Sequence, residues 1–136
     1  MTRVCSALVL IPLLALTACG PAPVRGTRAW HGATPISATY QFGRLTADLP
    51  PGSRVEPVTI AARHTLERQG HTIQSAEVTP QQGKIVALAP ANIGYDKITM
   101  RTAFEGQGTV IRLDIWPPNE SRARVALETL LQTLGL

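Results

Sequence analysis

The chain has 136 residues, with 13 Lys and Arg against 9 Asp and Glu for a net charge of +4, only 4% aromatic residues and two cysteines. That length holds one ordinary domain with a tail and excludes two. Mild basicity without lysine-rich blocks or interleaved aromatics argues against a nucleic-acid partner, and so few aromatics rank sugar stacking low. In chain order, Arg3 leads an apolar run, Val4–Leu16, which ends in Leu16-Thr17-Ala18-Cys19 and then Gly20-Pro21. A basic start, an apolar segment and small residues at a cut site describe an export signal. The run is about 13 residues, short of the roughly 20 that cross a bilayer as a helix.

Leu16-Thr17-Ala18-Cys19 resembles the bacterial lipobox. The resemblance implies that residues 1–18 are removed and that Cys19 carries a diacylglyceryl group on its thiol and an acyl chain on its new amino terminus. Several chains make a stable tether where one is marginal. Gly20 after the cysteine resembles the pattern that sends lipoproteins onward to the outer membrane, facing the periplasm. The other cysteine, Cys5, lies inside the signal. The mature chain is then left with no free thiol for a disulfide, thiol catalysis or zinc.

Residues 19–37 are rich in Pro, Gly, Ala and Thr and lack periodicity, which predicts a lipidated flexible tether. Extended, such a segment reaches on the order of 50 Å. Trp30, with Arg25 and Arg28, suits either a lipid–water boundary or a contact back onto the domain.

A single domain is expected over residues 38–136. Ala38–Leu49 reads as one strand whose apolar parity switches at Gly43, the mark of a bulge. An amphipathic helix comes next over about Ser53–Gln69, with Val55, Val58, Ala62 and Leu66 as its apolar stripe, Ser53 and Glu56 at capping-box spacing, and Gly70 as its stop. Four strands separated by turn signals succeed it: Thr72–Thr79, Lys84–Ala89, Tyr95–Phe104 and Thr109–Trp116. Asn119 then caps a helix over about Glu120–Leu134, with Ala123, Ala126, Leu127, Leu130 and Leu134 facing inward. The expected fold is α+β: a five-stranded antiparallel sheet with two helices on one face, in the order β-α-β-β-β-β-α.

That order, with Tyr40, Gly43, Leu45, Ala47, Ala62, Leu66, Gly70, Gly83, Ile85, Ala87, Ile98, Met100, Val110, Ile111, Leu113 and Ile115, resembles a family of small bacterial lipoproteins built around a domain of unknown function. The resemblance covers roughly Ala38–Leu134 and implies a fold and an address. Its positions are packing residues and glycines, so it brings no functional residue with it. The chain departs from the family at Trp116-Pro117-Pro118, where a glycine-rich turn is usual.

Chemistry-bearing patterns are sparse. His31, His64 and His71 show no metal-ligand spacing, and His64 and His71 read as exposed residues flanking the helix stop, so no metal or cofactor is expected. No serine sits in a nucleophile elbow, the carboxylates are scattered singly, and no enzyme is expected. One surface constellation stands out. A two-residue turn at Gly106-Gln107 pairs Ile98 with Ile115, Met100 with Leu113 and Thr102 with Ile111 on the helix side. On the other side Arg101 faces Arg112, with Asp114 diagonal to Arg101. Val86, Leu88 and Trp116 share that outer face. Opposed like charges are unfavourable unless an acid or an anion separates them. The expectation is a non-catalytic envelope lipoprotein, bound to the membrane at Cys19 and meeting an envelope protein. The alternative is a module that binds a small anion or lipid through Arg101 and Arg112.

Overall fold

A computed structural model of the chain describes residues 22–23 and 36–136. Residues 1–18, expected to be an export signal, and Cys19, Trp30 and His31 lie outside these described residues. The elements are β1 (Ala22–Pro23), β2 (Ser37–Gln41), β3 (Arg44–Asp48), α1 (Val55–Arg68), β4 (Thr72–Val78), β5 (Gln82–Leu88), β6 (Lys97–Glu105), β7 (Gly108–Trp116) and α2 (Glu120–Thr133). The sheet order is β1-β2-β3-β7-β6-β5-β4 and every neighbouring pair is antiparallel. The α+β class with two helices on one antiparallel sheet is as expected; the strand count is not.

Ala38–Leu49, expected as one bulged strand, is the hairpin β2–β3. Its turn is Phe42-Gly43, both with positive φ (50° and 78°), and Tyr40 pairs with Leu45 and Ala38 with Ala47. A two-residue turn and a bulge both reverse apolar parity. Here the turn is the cause, so six strands of five to nine residues form the sheet, with the two-residue β1 at its edge. The hairpin joins the meander at β7, with Leu45 opposite Leu113 and Ala47 opposite Ile111. Within the segment expected to be a flexible tether, Ala22 pairs with Ala38 and Pro23 with Ser37.

One parity of each strand builds the core. Ala38, Leu45, Ala47, Ile85, Ala87, Ile98, Met100, Ile111, Leu113 and Ile115 cluster with Val58, Ala62 and Leu66 of α1 and Ala123, Leu127, Leu130 and Leu131 of α2. Each large side chain buried this fully contributes about 1.5–3 kcal/mol. Helix α1 covers β4, β5 and β6, whereas α2 covers β3 and β7.

The helix ends show where local signals held. Asn119 Oδ1 accepts from the Arg122 amide at 3.0 Å, the expected cap. Gly70 (φ 85°) ends α1, with the Gly70 amide donating to Glu67 O and the His71 amide to Leu66 O, the double bond of a Schellman stop. The Ser53–Glu56 capping box does not form. Arg54 occupies the N-cap position without a side-chain bond, and Ser53 Oγ instead accepts from the Thr109 amide at 2.8 Å. Thr109 Oγ1 donates to Ser53 O at 3.0 Å, so the residue expected to cap α1 ties its approach to β7.

Helix α1 sits close to the sheet because Gly83 has no side chain. A Cβ there meets Thr59 Oγ1 and Cγ2 and Thr102 Oγ1 at distances real contacts do not allow. Thr59 Oγ1 donates to Val55 O at 2.8 Å, which spends its only proton. Thr102 must therefore be the donor in the 2.6 Å bond between the two hydroxyls. Replacing Gly83 by Ala is expected to destabilise the fold by about 1–3 kcal/mol through overpacking, read from the urea midpoint. A midpoint equal to that of the parent protein contradicts this close approach.

Candidate functional site

The outer sheet face is ordered in rows that cross the strands. One row runs Glu77, Lys84, Arg101, Arg112, Thr46, Thr39, and the next runs Ser75, Val86, Thr99, Asp114, Arg44, Gln41. Leu88, Lys97 and Trp116 form a third row across β5, β6 and β7. Arg101, Arg112, Asp114, Val86, Leu88 and Trp116 therefore all lie on this face. Arg101 is opposite Arg112, and Asp114 is opposite Thr99, the register anticipated from the Gly106-Gln107 turn.

Side chains on this face pair off their charges. Asp114 receives Arg101 Nη1 on Oδ2 at 2.6 Å. It also receives Arg44 Nε on Oδ1 at 2.8 Å and Arg44 Nη2 on Oδ2 at 3.3 Å. Arg112 turns away from Arg101, and its Nη2 donates to both oxygens of Glu105 at 2.7 and 3.0 Å. Bonding to Asp114 raises the Arg44 pKa above its ordinary value. The repulsion between Arg101 and Arg112 is thus relieved by two carboxylates, one of them shared. The sequence places Asp114 beside Arg101 but gives no sign of Arg44, which lies 70 positions from Asp114, because no local pattern signals which strand β7 takes as its second neighbour. Exposed pairs of this kind contribute about 0–1 kcal/mol each.

Relief on this face is shallow. An open depression of about 360 Å³ is lined by Glu77, Lys84, Arg101 and Arg112 among others. A second, of about 590 Å³, lies over Thr39, Gln41, Phe42, Arg44, Thr46 and Arg112. Among the described residues, Lys84 is in no ion pair, no cluster of His, Cys, Asp and Glu is arranged to hold a metal ion, and no helix is long and apolar enough to cross a membrane.

His71 is not the exposed residue it was expected to be. It is 5% exposed, packed beneath the α1 stop. Its Nδ1 lies 3.1 Å from Leu66 O and its Nε2 3.0 Å from the Tyr95 hydroxyl. A carbonyl only accepts, so Nδ1 carries the proton and Tyr95 donates to Nε2 in the neutral ring. Burial lowers the His71 pKa from 6.5, and burial pushes the Tyr95 hydroxyl up to about 12. Both groups are neutral in the fold and tie α1 to the loop before β6. An open depression of about 310 Å³ above them is lined by Gln69, Ile93, Tyr95, Ser121, Arg122, Val125 and Ala126. Arg122 Nη1 donates to Ile93 O at 2.6 Å, and its guanidinium lies against Gly94.

No protein-family model matches the chain, and no curated protein matches it.

Two measurements check the electrostatics. Asp114→Asn leaves Arg44, Arg101 and Arg112 adjacent with one fewer acid, and is expected to cost about 1 kcal/mol at low salt and less at molar salt, where charges are screened. A loss independent of salt contradicts the shared-carboxylate account. For His71 the unfolded chain binds a proton more readily than the fold. Stability is then retained above pH 6.5 and lost as pH falls through the lowered folded value. Urea midpoints for His71→Gln are expected to lose that component of the acid dependence; an unchanged slope contradicts it.

Proposed function

We propose that this chain is a non-catalytic lipoprotein of the bacterial envelope, anchored through lipid on Cys19 to the periplasmic face of the outer membrane and acting through contacts with another envelope protein in an assembly or accessory role. The observation that carries the reading is the basic start and apolar run closed by Leu16-Thr17-Ala18-Cys19. The anchor carries a single α+β domain whose helices both occupy one sheet face, leaving the other free to meet a partner.

Protein contact is favoured over the capture of a small anion by the state of the arginines. Arg101 and Arg112 are each held by a carboxylate, so an anion must displace Asp114 or Glu105 before it binds them. The depression beside them is open, and ligand pockets that bury a small molecule are enclosed. The two central rows of this face carry paired charges and Val86 as their one apolar side chain, which suits a modest, polar protein interface.

The test is chemical. Cells fed a clickable fatty acid are expected to label the protein, and mass spectrometry of its amino-terminal peptide to find a lipidated Cys19. Cys19→Ser is expected to abolish the label, whereas Cys5→Ser, within the removed segment, leaves it intact. An unlabelled protein, or an unmodified terminus at another cut, overturns the reading.

A further inference from the structure

Phe42 and Trp116 are the most exposed large apolar side chains among the described residues, at 105% and 63%. Both stand at one end of the sheet. Arg44 pairs with Asp114; two residues beyond that pair in the same direction lie Phe42, in the β2–β3 turn, and Trp116, the last residue of β7. Phe42 lines the outer-face depression together with Arg44 and Arg112, which puts it on the same side as Trp116. Lys97 is the direct neighbour of Trp116, and Leu88, 41% exposed, is the neighbour of Lys97. The result is two aromatic rings and a leucine around a lysine, the composition of a lipid–water boundary.

Folding does not account for Phe42. Its φ of 50° lies in the left-handed region, where a residue bearing a side chain is strained and where turns of this type favour Asn, Asp or Gly. It buries no surface in return. The turn is nonetheless supported, because the Cβ position of Gly43 is 3.7 Å from Pro118 Cβ. The fold therefore presents a strained, fully exposed aromatic ring on a seated turn.

Strand β1 supplies the link to the bilayer. It is antiparallel to β2, with Ala22 opposite Ala38 and Pro23 opposite Ser37, so its amino-terminal end points toward the Phe42 end of the sheet. Cys19 precedes Ala22 by three residues, a reach of at most about 11 Å. Strands β6 and β7 are nine residues long, about 27 Å from end to end. A lipid on Cys19 therefore holds the domain close to the membrane rather than at the end of a leash of about 50 Å.

We infer that the Phe42–Trp116 end of the sheet rests on the lipid surface, with both rings at the level of the headgroups and the Gly106-Gln107 end directed away from the bilayer. This rests on the anchor proposed above. It assigns Trp116 and Leu88 to lipid and leaves the Lys84–Arg101–Arg112 row for the partner.

The experiment uses the lipidated chain in phospholipid vesicles with Trp30→Phe, which makes Trp116 the single tryptophan. Flotation first establishes that the protein is on the vesicles. Lipids brominated near the headgroup are then expected to quench Trp116 emission, and aqueous iodide to leave it largely unquenched. Phe42→Trp in a chain also carrying Trp30→Phe and Trp116→Phe is expected to behave alike. Phe104→Trp in that same background places the reporter at the opposite end of β6, and is expected to respond to iodide and not to bromine. Floating protein whose Trp116 and Trp at position 42 respond to iodide alone overturns the inference and leaves the anchor standing. Floating protein in which neither quencher reaches these positions means that a second copy or a protein covers them, and also overturns it. Protein that does not float removes the anchor reading and this inference together.

Discussion

Strand β7 is hydrogen-bonded on both sides, to β3 and to β6, and its alternation divides the molecule. Ile111, Leu113 and Ile115 are at most 3% exposed beneath the helices, while Arg112, Asp114 and Trp116 occupy the face away from them. Side chains alternate strictly along a strand, so a slip of one residue drives three apolar groups into water and an arginine and an aspartate into the core. The core penalty therefore enforces the register, and the register alone places Asp114 between Arg44 and Arg101. Charge pairing on the outer face is a consequence of packing on the inner one. With exposed ion pairs contributing so little each, those pairs could not have set the register themselves.

That dependence explains what is legible in the chain without its structure. The β6–β7 register comes from two residues at a turn and two alternating strands, which are local signals, and it holds from Ile98–Ile115 to Arg101–Arg112. The Asn119 cap and the Gly70 stop are equally local. Failures arise where one pattern has two causes or where a partner is distant. Parity reversal at Phe42-Gly43 fits a bulge as well as a turn, and phenylalanine is a poor turn signal. Ser53 and Glu56 have capping spacing, but Thr109 competes for Ser53 and sits 56 positions away. His71 looks like a solvated residue after a helix; its burial depends on Tyr95, 24 positions on. Arg44 enters the outer-face network unforeseen for the same reason, 70 positions from Asp114, whereas Glu105 is seven positions from Arg112 in the same hairpin and needed no distant partner.

The fold also separates polar contacts that hold the molecule together from those open to a partner. Thr59–Thr102, Ser53–Thr109 and His71–Tyr95 each join a helix or its approach to the sheet or its loops, and each includes a side chain no more than 5% exposed. Losing one leaves a buried donor or acceptor unpaired, at about 1–3 kcal/mol. Outer-face pairs lie between a quarter and a half exposed, so water can replace either partner at small cost. A binding surface made of such pairs exchanges one set of hydrogen bonds for another without endangering the core.

The proposed anchor, if placed at Cys19, constrains what that surface can meet. With β1 pinned on β2, the distance from Cys19 to the domain is set by three residues rather than by the whole segment before Ser37. A long leash lets a domain search a wide volume at low effective concentration; a short one confines it and raises the encounter rate with anything else held at the same surface. Under the proposed anchor, the partner is then a protein whose own contact face lies within a sheet's length of the bilayer. The open, charge-paired middle of the sheet is at that height when the Phe42–Trp116 end is down. The same orientation turns the exposed edge strand β4, interrupted by a register shift between Ile73 and Ser75, to run upright from the membrane. Such an irregularity blunts an edge against adding a further strand, so contact through the outer face, side chain to side chain, is the mode this geometry favours.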